Sequence, residues 1–121
     1  MQKNKYREGL RGQHEAKEFL QNTGYEILAE NYRVKTGEID LIALSGNYLV
    51  FIEVKFRTGT KYGLPREAVS FGKQKKIAKT AMHYISVRQI EEKDFRFDVV
   101  EVIRQNGRML INHIENAFEL W

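Results

Sequence analysis

A β-hairpin pattern centred on Gly46-Asn47 constrains the fold of this chain most strongly. Residues 38–45 and 48–56 alternate in the manner of β-strands on either side of this dipeptide. Gly followed by Asn suits a two-residue type II′ turn, because the first central residue of that turn needs a positive φ angle. A turn of two residues also fixes the strand register, with Ser45 opposite Tyr48.

Four charged side chains share one face of this predicted hairpin. The register places Asp40 directly opposite Glu53 and Glu38 opposite Lys55, and residues two apart project from the same face. Directly opposed Cβ atoms lie ~5 Å apart, and at an effective dielectric of about 20 two like charges at that distance repel by roughly 3 kcal/mol. A divalent cation bound by Asp40 and Glu53 would turn this repulsion into ligation. A plain cross-strand ion pair between Glu38 and Lys55 is the alternative interpretation.

The composition indicates one domain spanning residues 1–121. The chain has no cysteine, which excludes disulfides, zinc-thiolate sites and cysteine nucleophiles and is typical of a cytoplasmic protein. The first 13 residues are polar and basic, unlike a signal peptide. No apolar run approaches the ~20 residues that a membrane helix needs, so we expect no membrane association.

The order of the remaining elements predicts an α/β fold. Helices are predicted over residues 6–22 and 73–87, with Phe71-Gly72 interrupting a short helix that begins near Pro65. Further strands are predicted over residues 25–33, 95–104 and 109–114, the last two joined by a type I′ turn at Asn106-Gly107. The order α-β-β-β-α-β-β gives a mixed five-stranded sheet flanked by helices.

Positive charge is concentrated between residues 55 and 80, where eight basic residues and one acidic residue give a net charge of +7. A localised basic stretch is typical of proteins that bind nucleic acid. The alternative is a solvated, lysine-rich helix face. The candidate contacts to a phosphate backbone are Arg57, Lys61, Arg66, Lys73, Lys75, Lys76 and Lys79.

The carboxylates and lysine of the hairpin have the chemistry of a phosphodiesterase site. Carboxylate oxygens are hard ligands that suit Mg²⁺ or Mn²⁺, and such an ion polarises a phosphoryl oxygen and lowers the pKa of a bound water. Asp40 and Glu53 would hold the ion, the backbone carbonyl of Val54 would complete its shell, and Lys55 would orient the attacking water or neutralise the pentavalent phosphate. His14, His83 and His113 lack ligand-like spacing, so structural roles are predicted for them.

Asp98 is predicted to lie outside this site, paired with Arg96 or Arg104.

Asp40 followed by Glu53-Val54-Lys55 resembles the PD-(D/E)xK motif of restriction-endonuclease-like nucleases, although Ile39 stands where that motif has proline. The wider pattern resembles the YraN-like family of small bacterial proteins. The matching segments are Gly12 with Glu15 and Ala16, Gly24-Tyr25, Gly37-Glu38-Ile39-Asp40-Leu41-Ile42, Phe51-Ile52-Glu53-Val54-Lys55, Lys73-Gln74, Arg96-Phe97-Asp98-Val99-Val100 and Asn116-Ala117-Phe118.

The resemblance implies a restriction-endonuclease-like core similar to that of archaeal Holliday junction resolvases. In that superfamily a glutamate on the first helix joins the metal site, and Glu15 occupies the matching position. A polar residue on the helix after the catalytic hairpin often completes the site, and Gln74 or Lys73 matches it.

The expected function is therefore that of a Mg²⁺- or Mn²⁺-dependent DNA endonuclease acting on branched or single-stranded DNA. The first alternative is a nucleic-acid-binding module of the same fold that does not cleave. The second is a scaffold or adaptor protein that binds a partner through its C-terminal Leu120-Trp121. A homodimer would provide enough surface to hold two duplexes.

Overall fold

The structure is a computed structural model that describes residues 2–58 and 69–119. This part of the chain contains two helices and five strands. The predicted order α-β-β-β-α-β-β is confirmed. The short helix predicted near Pro65 and the Leu120-Trp121 segment lie outside the described residues. The elements are α1 (Gln2–Asn22), β1 (Glu26–Val34), β2 (Gly37–Ser45), β3 (Tyr48–Thr58), α2 (Phe71–Arg88), β4 (Asp94–Gln105) and β5 (Arg108–Phe118).

The five strands form one mixed sheet in the spatial order β1-β2-β3-β4-β5. All neighbouring pairs are antiparallel except β3 and β4, which run parallel. Parallel neighbours need a crossover connection, and α2 belongs to the segment that joins these two strands. The predicted mixed five-stranded sheet with flanking helices is therefore confirmed.

Both predicted hairpin turns are present. Gly46 has a φ angle of +59°, as the first central residue of a type II′ turn requires. The predicted register holds from Ser45–Tyr48 as far as Leu41–Ile52. At the second turn Asn106 and Gly107 have φ angles of +51° and +74°, and positive values at both positions define type I′.

One helix covers each face of the sheet, so the central strands β2, β3 and β4 contribute buried residues to both faces, whereas the edge strands β1 and β5 are half-buried or exposed. Neither helix in the described part of the chain has the length and apolarity needed to cross a bilayer. On one face Ala16 and Leu20 of α1 pack against Leu41, Ala43, Val50, Ile52, Val100 and Val102. On the other face Ile77, Ala81 and Tyr84 of α2 pack against Ile39, Ile42, Leu49, Phe51, Phe97 and Val99.

The start of α2 differs from the sequence prediction. Phe71 and Gly72 were predicted to interrupt a helix, and instead they are its first two residues. Ser70 is the N-cap, and its side-chain oxygen accepts a hydrogen bond from the Lys73 N–H at 3.2 Å. Because such a cap satisfies one of the free donors at a helix start, α2 begins at residue 71 and Lys73 lies in its first turn.

Candidate active site

Asp40 and Glu53 come together where the pairing of β2 with β3 ends. The paired residues stop at Leu41 and Ile52, so Asp40 and Glu53 are not the ladder pair that the register predicted. Instead Asp40 Oδ2 accepts a hydrogen bond from the Val54 N–H at 2.8 Å. The Asp40 side chain of β2 thus bonds to the β3 backbone just outside the ladder, at the residue that follows Glu53.

The two carboxylates interact electrostatically. Burial, and secondly the negative charge of Glu53, raise the pKa of Asp40 to about 7, while the Val54 N–H and Lys73 act in the opposite direction. The Glu53 side chain is itself only 7% exposed. The repulsion that the sequence predicts between these residues is therefore present, even though they do not face each other in the ladder.

Two lysines neutralise Glu53. Lys73 Nζ lies 2.5 Å from Glu53 Oε1, and Lys55 Nζ lies 3.6 Å from the same oxygen. Burial lowers the pKa of Lys73, but its hydrogen bond and charge interaction with Glu53 outweigh that effect and raise it. Burial lowers the pKa of Lys55, and Glu53 offsets this only in part. The site therefore contains two acidic and two basic side chains, from β2, β3 and α2.

Glu38 and Lys55 each have another partner in place of the ion pair that was the alternative prediction. Both carboxylate oxygens of Glu38 accept hydrogen bonds from Arg33 Nη2 at 3.2 Å. Lys55 contacts Glu53 instead. Glu38 still lies near enough to Asp40 for its charge to contribute to the raised pKa of that carboxyl.

Glu15 and Gln74 are described residues that form no hydrogen bond or ion pair with any of these four side chains. Glu15 is half-buried on α1, the helix that covers the opposite face of the sheet, and it forms no hydrogen bond or ion pair with another described residue. Gln74 Nε2 donates to the Val69 carbonyl oxygen at 2.9 Å. Of the two α2 residues that the resemblance suggested, Lys73 is therefore the one that contacts the site.

The basic residues predicted to bind phosphates have different environments. Arg57 is only 15% exposed and forms an ion pair at 2.5 Å with the buried Glu101 of β4. Lys75, Lys76 and Lys79 are exposed on α2. Lys61 and Arg66 lie outside the described residues.

Asp98 belongs to a second buried polar cluster on the α1 face of the sheet. Arg96 donates to both of its carboxylate oxygens at 2.8 Å, which confirms one of the two predicted partners. His113 Nε2 lies 2.7 Å from Asp98 Oδ2, and the Asn116 N–H donates to Oδ1 at 2.9 Å. These bonds outweigh the effect of burial and lower the pKa of Asp98. His113 thus contacts a buried carboxylate in the core.

The residues at the end of the hairpin fit a small divalent cation. Within the described residues no three His, Asp or Glu side chains lie close enough together to hold a metal ion. Mg²⁺ is commonly bound through only one or two carboxylates, with water completing its shell. Asp40 is half-buried and Glu53 is buried, and the two carboxylates repel each other, so a cation would relieve that repulsion. The donor set therefore suits Mg²⁺ or Mn²⁺ better than a metal that needs several nitrogen or sulfur ligands.

The fold and the site define an α/β protein with a mixed sheet and a partly buried cluster of carboxylates and lysines at the end of a central hairpin. The model of the Uncharacterised protein family UPF0102 matches residues 12–102, and the chain belongs to this YraN-like family. The matched region includes all four residues of the cluster.

Relatives in several bacteria match almost the full length of the chain. A UPF0102 protein of Clostridium botulinum (strain 657 / Type Ba4) is 50% identical over 115 residues, which cover 93% of this chain and 94% of the relative. A second, from Caldanaerobacter subterraneus subsp. tengcongensis, is 46% identical over 118 residues, or 95% and 97% of the two chains. A third, from Persephonella marina, is 42% identical over 112 residues, covering 93% of each.

Proposed function

We propose that this protein is a metal-dependent nuclease of the restriction-endonuclease-like superfamily that hydrolyses phosphodiester bonds in DNA. The observation that supports this most directly is the convergence of Asp40, Glu53, Lys55 and Lys73 at one end of the β2–β3 hairpin. A purely structural role gives little reason to place a half-buried and a buried carboxylate where they repel each other, because like charges in close proximity destabilise a sheet.

Each residue has a specific role in this proposal. Asp40 and Glu53 bind Mg²⁺ or Mn²⁺, which when bound supplies Lewis-acid polarisation and a more acidic water. The Val54 N–H holds the Asp40 side chain in place by a hydrogen bond of 2.8 Å to Oδ2. The backbone carbonyl oxygen of Val54 is a candidate further ligand. Lys55, whose pKa is lowered by burial, orients the attacking water or neutralises charge that develops on the phosphoryl oxygens.

The substrate class follows from the positive charge beside the site. Lys75, Lys76 and Lys79 are exposed on α2, the helix that also presents Lys73 to Glu53. Lysine side chains in such a position bind the phosphate backbone without reading the base sequence. We propose DNA, branched or single-stranded, as the substrate, and a homodimer as the form that holds two duplexes.

A non-catalytic nucleic-acid-binding module is the second candidate function. The observation that favours it is the contact of Lys55 and Lys73 with Glu53, because two ammonium groups balance the charges of the two carboxylates without a metal ion. This candidate predicts salt-sensitive binding to nucleic acid and no nicking with any divalent cation.

A nicking assay distinguishes the two functions. Linear duplex, single-stranded and four-way DNA are incubated with the protein in Mg²⁺, Mn²⁺ or EDTA. Under the leading proposal, cleavage requires the cation, and Asp40→Asn and Lys55→Ala each reduce it by at least about 100-fold. Asp94→Asn, which changes an exposed carboxylate at the opposite end of the parallel strand pair, is the matched control.

Two outcomes of this assay would contradict the leading proposal. Binding without nicking in any cation favours the non-catalytic module. Nicking that survives both Asp40→Asn and Lys55→Ala means that the activity comes from another site or from a contaminating nuclease. Circular dichroism of each variant confirms that the loss of activity is not a loss of fold.

A further inference from the structure

We propose that Lys73 holds the Glu53 carboxylate in the metal-free protein and competes with the divalent cation for it, so that the free protein binds the cation weakly. This inference rests on the proposed function, because it concerns the regulation of the same site. It assigns Lys73 as a positioning residue that acts through Glu53.

The geometry at Glu53 supports this competition. A single oxygen, Oε1, is 2.5 Å from Lys73 Nζ and 3.6 Å from Lys55 Nζ. A divalent cation bound by Glu53 would lie close to the same ammonium groups, and like charges repel strongly at such distances, especially near a buried group. One of the two lysines must therefore move away when the cation binds.

Lys73 is the lysine that is free to move. Its side chain is 43% exposed, whereas that of Lys55 is 23% exposed. Lys73 lies in the first turn of α2, and its position there is fixed by the backbone through the Ser70 cap, so that the side chain can rotate without disturbing the helix. Lys55 is instead part of the paired strand β3 and aligns with Glu101 of β4.

The released ammonium has an obvious new partner if nucleic acid is present. Lys73 shares α2 with the exposed Lys75, Lys76 and Lys79, and a lysine ammonium is a good point-charge partner for a phosphate. A phosphate that draws Lys73 away from Glu53 also frees that carboxylate for the cation. Because such linkage is reciprocal, cation binding and phosphate binding strengthen each other.

The alternative is that the ion pair only fastens α2 to β3. The two roles predict changes of opposite sign when the ammonium is removed. If Lys73 competes with the cation, its loss strengthens cation binding by the free protein. If it is only structural, its loss loosens the site and weakens cation binding.

Titration of the free protein with Mn²⁺, followed by calorimetry, tests the sign. We expect Lys73→Met to bind Mn²⁺ about three- to tenfold more tightly than the wild type, the range expected for a partly exposed ion pair beside a buried carboxylate. Lys35→Met removes the same charge from an exposed turn between β1 and β2 and should change the affinity by less than about twofold. Lys73→Arg keeps the positive charge and should remain near the wild-type affinity.

The outcomes separate this inference from the proposed function. If Lys73→Met binds Mn²⁺ no more tightly than Lys35→Met does, the competition is wrong, whether or not the wild type nicks DNA. If Lys73→Met binds Mn²⁺ more tightly and the wild type does not nick DNA, the competition is supported and the proposed nuclease activity is wrong. If neither the wild type nor Lys73→Met binds Mn²⁺, both proposals fail. The circular dichroism spectrum and melting temperature of Lys73→Met establish that the titrated protein is folded.

Discussion

The Asp40 carboxylate accepts a hydrogen bond from the Val54 N–H at 2.8 Å, although both residues lie outside the β2–β3 ladder, whose last pair is Leu41–Ile52. This bond fixes an acidic side chain of β2 beside Glu53, the residue before Val54 in β3. The bond also opposes the rise in the pKa of Asp40 that burial and Glu53 produce. This arrangement keeps two mutually repelling carboxyl groups together, and the folding free energy that this costs depends on pH.

The first prediction concerns that cost. The pKa of Asp40 is raised from 3.8 to about 7 in the folded protein, so folding favours the protonated form. Its contribution to stability is therefore fully present below about pH 4 and is lost as the pH rises towards 7. Asparagine at this position does not ionise, so Asp40→Asn does not lose this stability as the pH rises. We expect the free energy of unfolding of Asp40→Asn, relative to that of the wild type, to increase by up to about 4 kcal/mol between pH 4 and pH 8.

Urea denaturation in EDTA at pH 4.5, 6 and 8 measures this difference. Asp94→Asn, at an exposed carboxylate, should show a constant offset from the wild type across the same range. Parallel stability curves for Asp40→Asn and the wild type would mean that Asp40 titrates normally in the folded state.

The second prediction concerns two glycines of α1 that differ in their surroundings. A Cβ atom built on Gly12 would lie 2.7 Å from Phe56 Cδ2 and 3.3 Å from Phe56 Cβ, whereas one on Gly9 meets nothing within 4 Å. Alanine is favoured over glycine within a helix by ~1 kcal/mol. We therefore expect Gly9→Ala to stabilise the protein by about that amount and Gly12→Ala to destabilise it by about 1–3 kcal/mol through the clash.

Thermal or chemical denaturation of the two variants side by side checks this. The pair is its own control, because both substitutions add one methyl group to the same helix. Equal stabilisation by both would show that α1 does not approach β3 as closely as the structure has it at Phe56.

The features that the sequence predicted correctly are those determined by neighbouring residues. Gly46-Asn47 and Asn106-Gly107 form the expected turns because Gly46 supplies the one positive φ angle of a type II′ turn, and Asn106 and Gly107 supply the two of a type I′ turn. The first turn then sets the register of the hairpin from Ser45–Tyr48 to Leu41–Ile52. The order of elements follows from the same local patterns, and the proximity of Asp40 to Glu53 follows from the register.

The features that the sequence did not predict depend on packing between distant elements. The ladder ends at Leu41, and outside it the Asp40 side chain bonds to the Val54 N–H, which no local pattern indicates. The ammonium of Lys73 reaches Glu53 only because α2 begins at Phe71, with Ser70 as its cap. A lysine in the first turn of the helix after the hairpin was the only available signal, and it came from the family resemblance.

The third prediction concerns Asp98, which is completely buried and bonded to Arg96, His113 and Asn116. Asp98→Asn removes the negative charge and leaves the guanidinium of Arg96, which is 12% exposed, with only the exposed carboxylate of Glu115 at 3.8 Å among the described residues. Breaking a buried ion pair on one side costs about 3–5 kcal/mol, and we expect a loss of that size at pH 7. The exposed Asp94→Asn should change stability by less than about 0.5 kcal/mol.

The pH dependence of this loss provides a further check. The pKa of Asp98 is lowered in the folded protein, so its stabilisation is present at neutral pH and is lost as the pH falls through the folded-state pKa. The difference between the wild type and Asp98→Asn in urea denaturation should therefore shrink in acid. A difference that grows in acid would contradict the assignment of Asp98 as an ionised partner of Arg96.

The fourth prediction concerns Lys75, Lys76 and Lys79, which are exposed on α2, the helix that also carries Lys73. Each lysine that neutralises a phosphate of duplex DNA contributes about 0.9 to the slope of log K against log salt concentration, because binding releases condensed counterions. Replacing all three with glutamine should therefore lower the magnitude of that slope by up to about 2.7.

Fluorescence anisotropy with a labelled duplex between 50 and about 200 mM salt, in EDTA to prevent cleavage, measures this slope. Lys17→Gln is the control, since Lys17 lies on α1, pairs with Glu30 at 2.8 Å and should leave the slope unchanged. An unchanged slope in the triple variant would mean that nucleic acid, if it binds, does so on another surface.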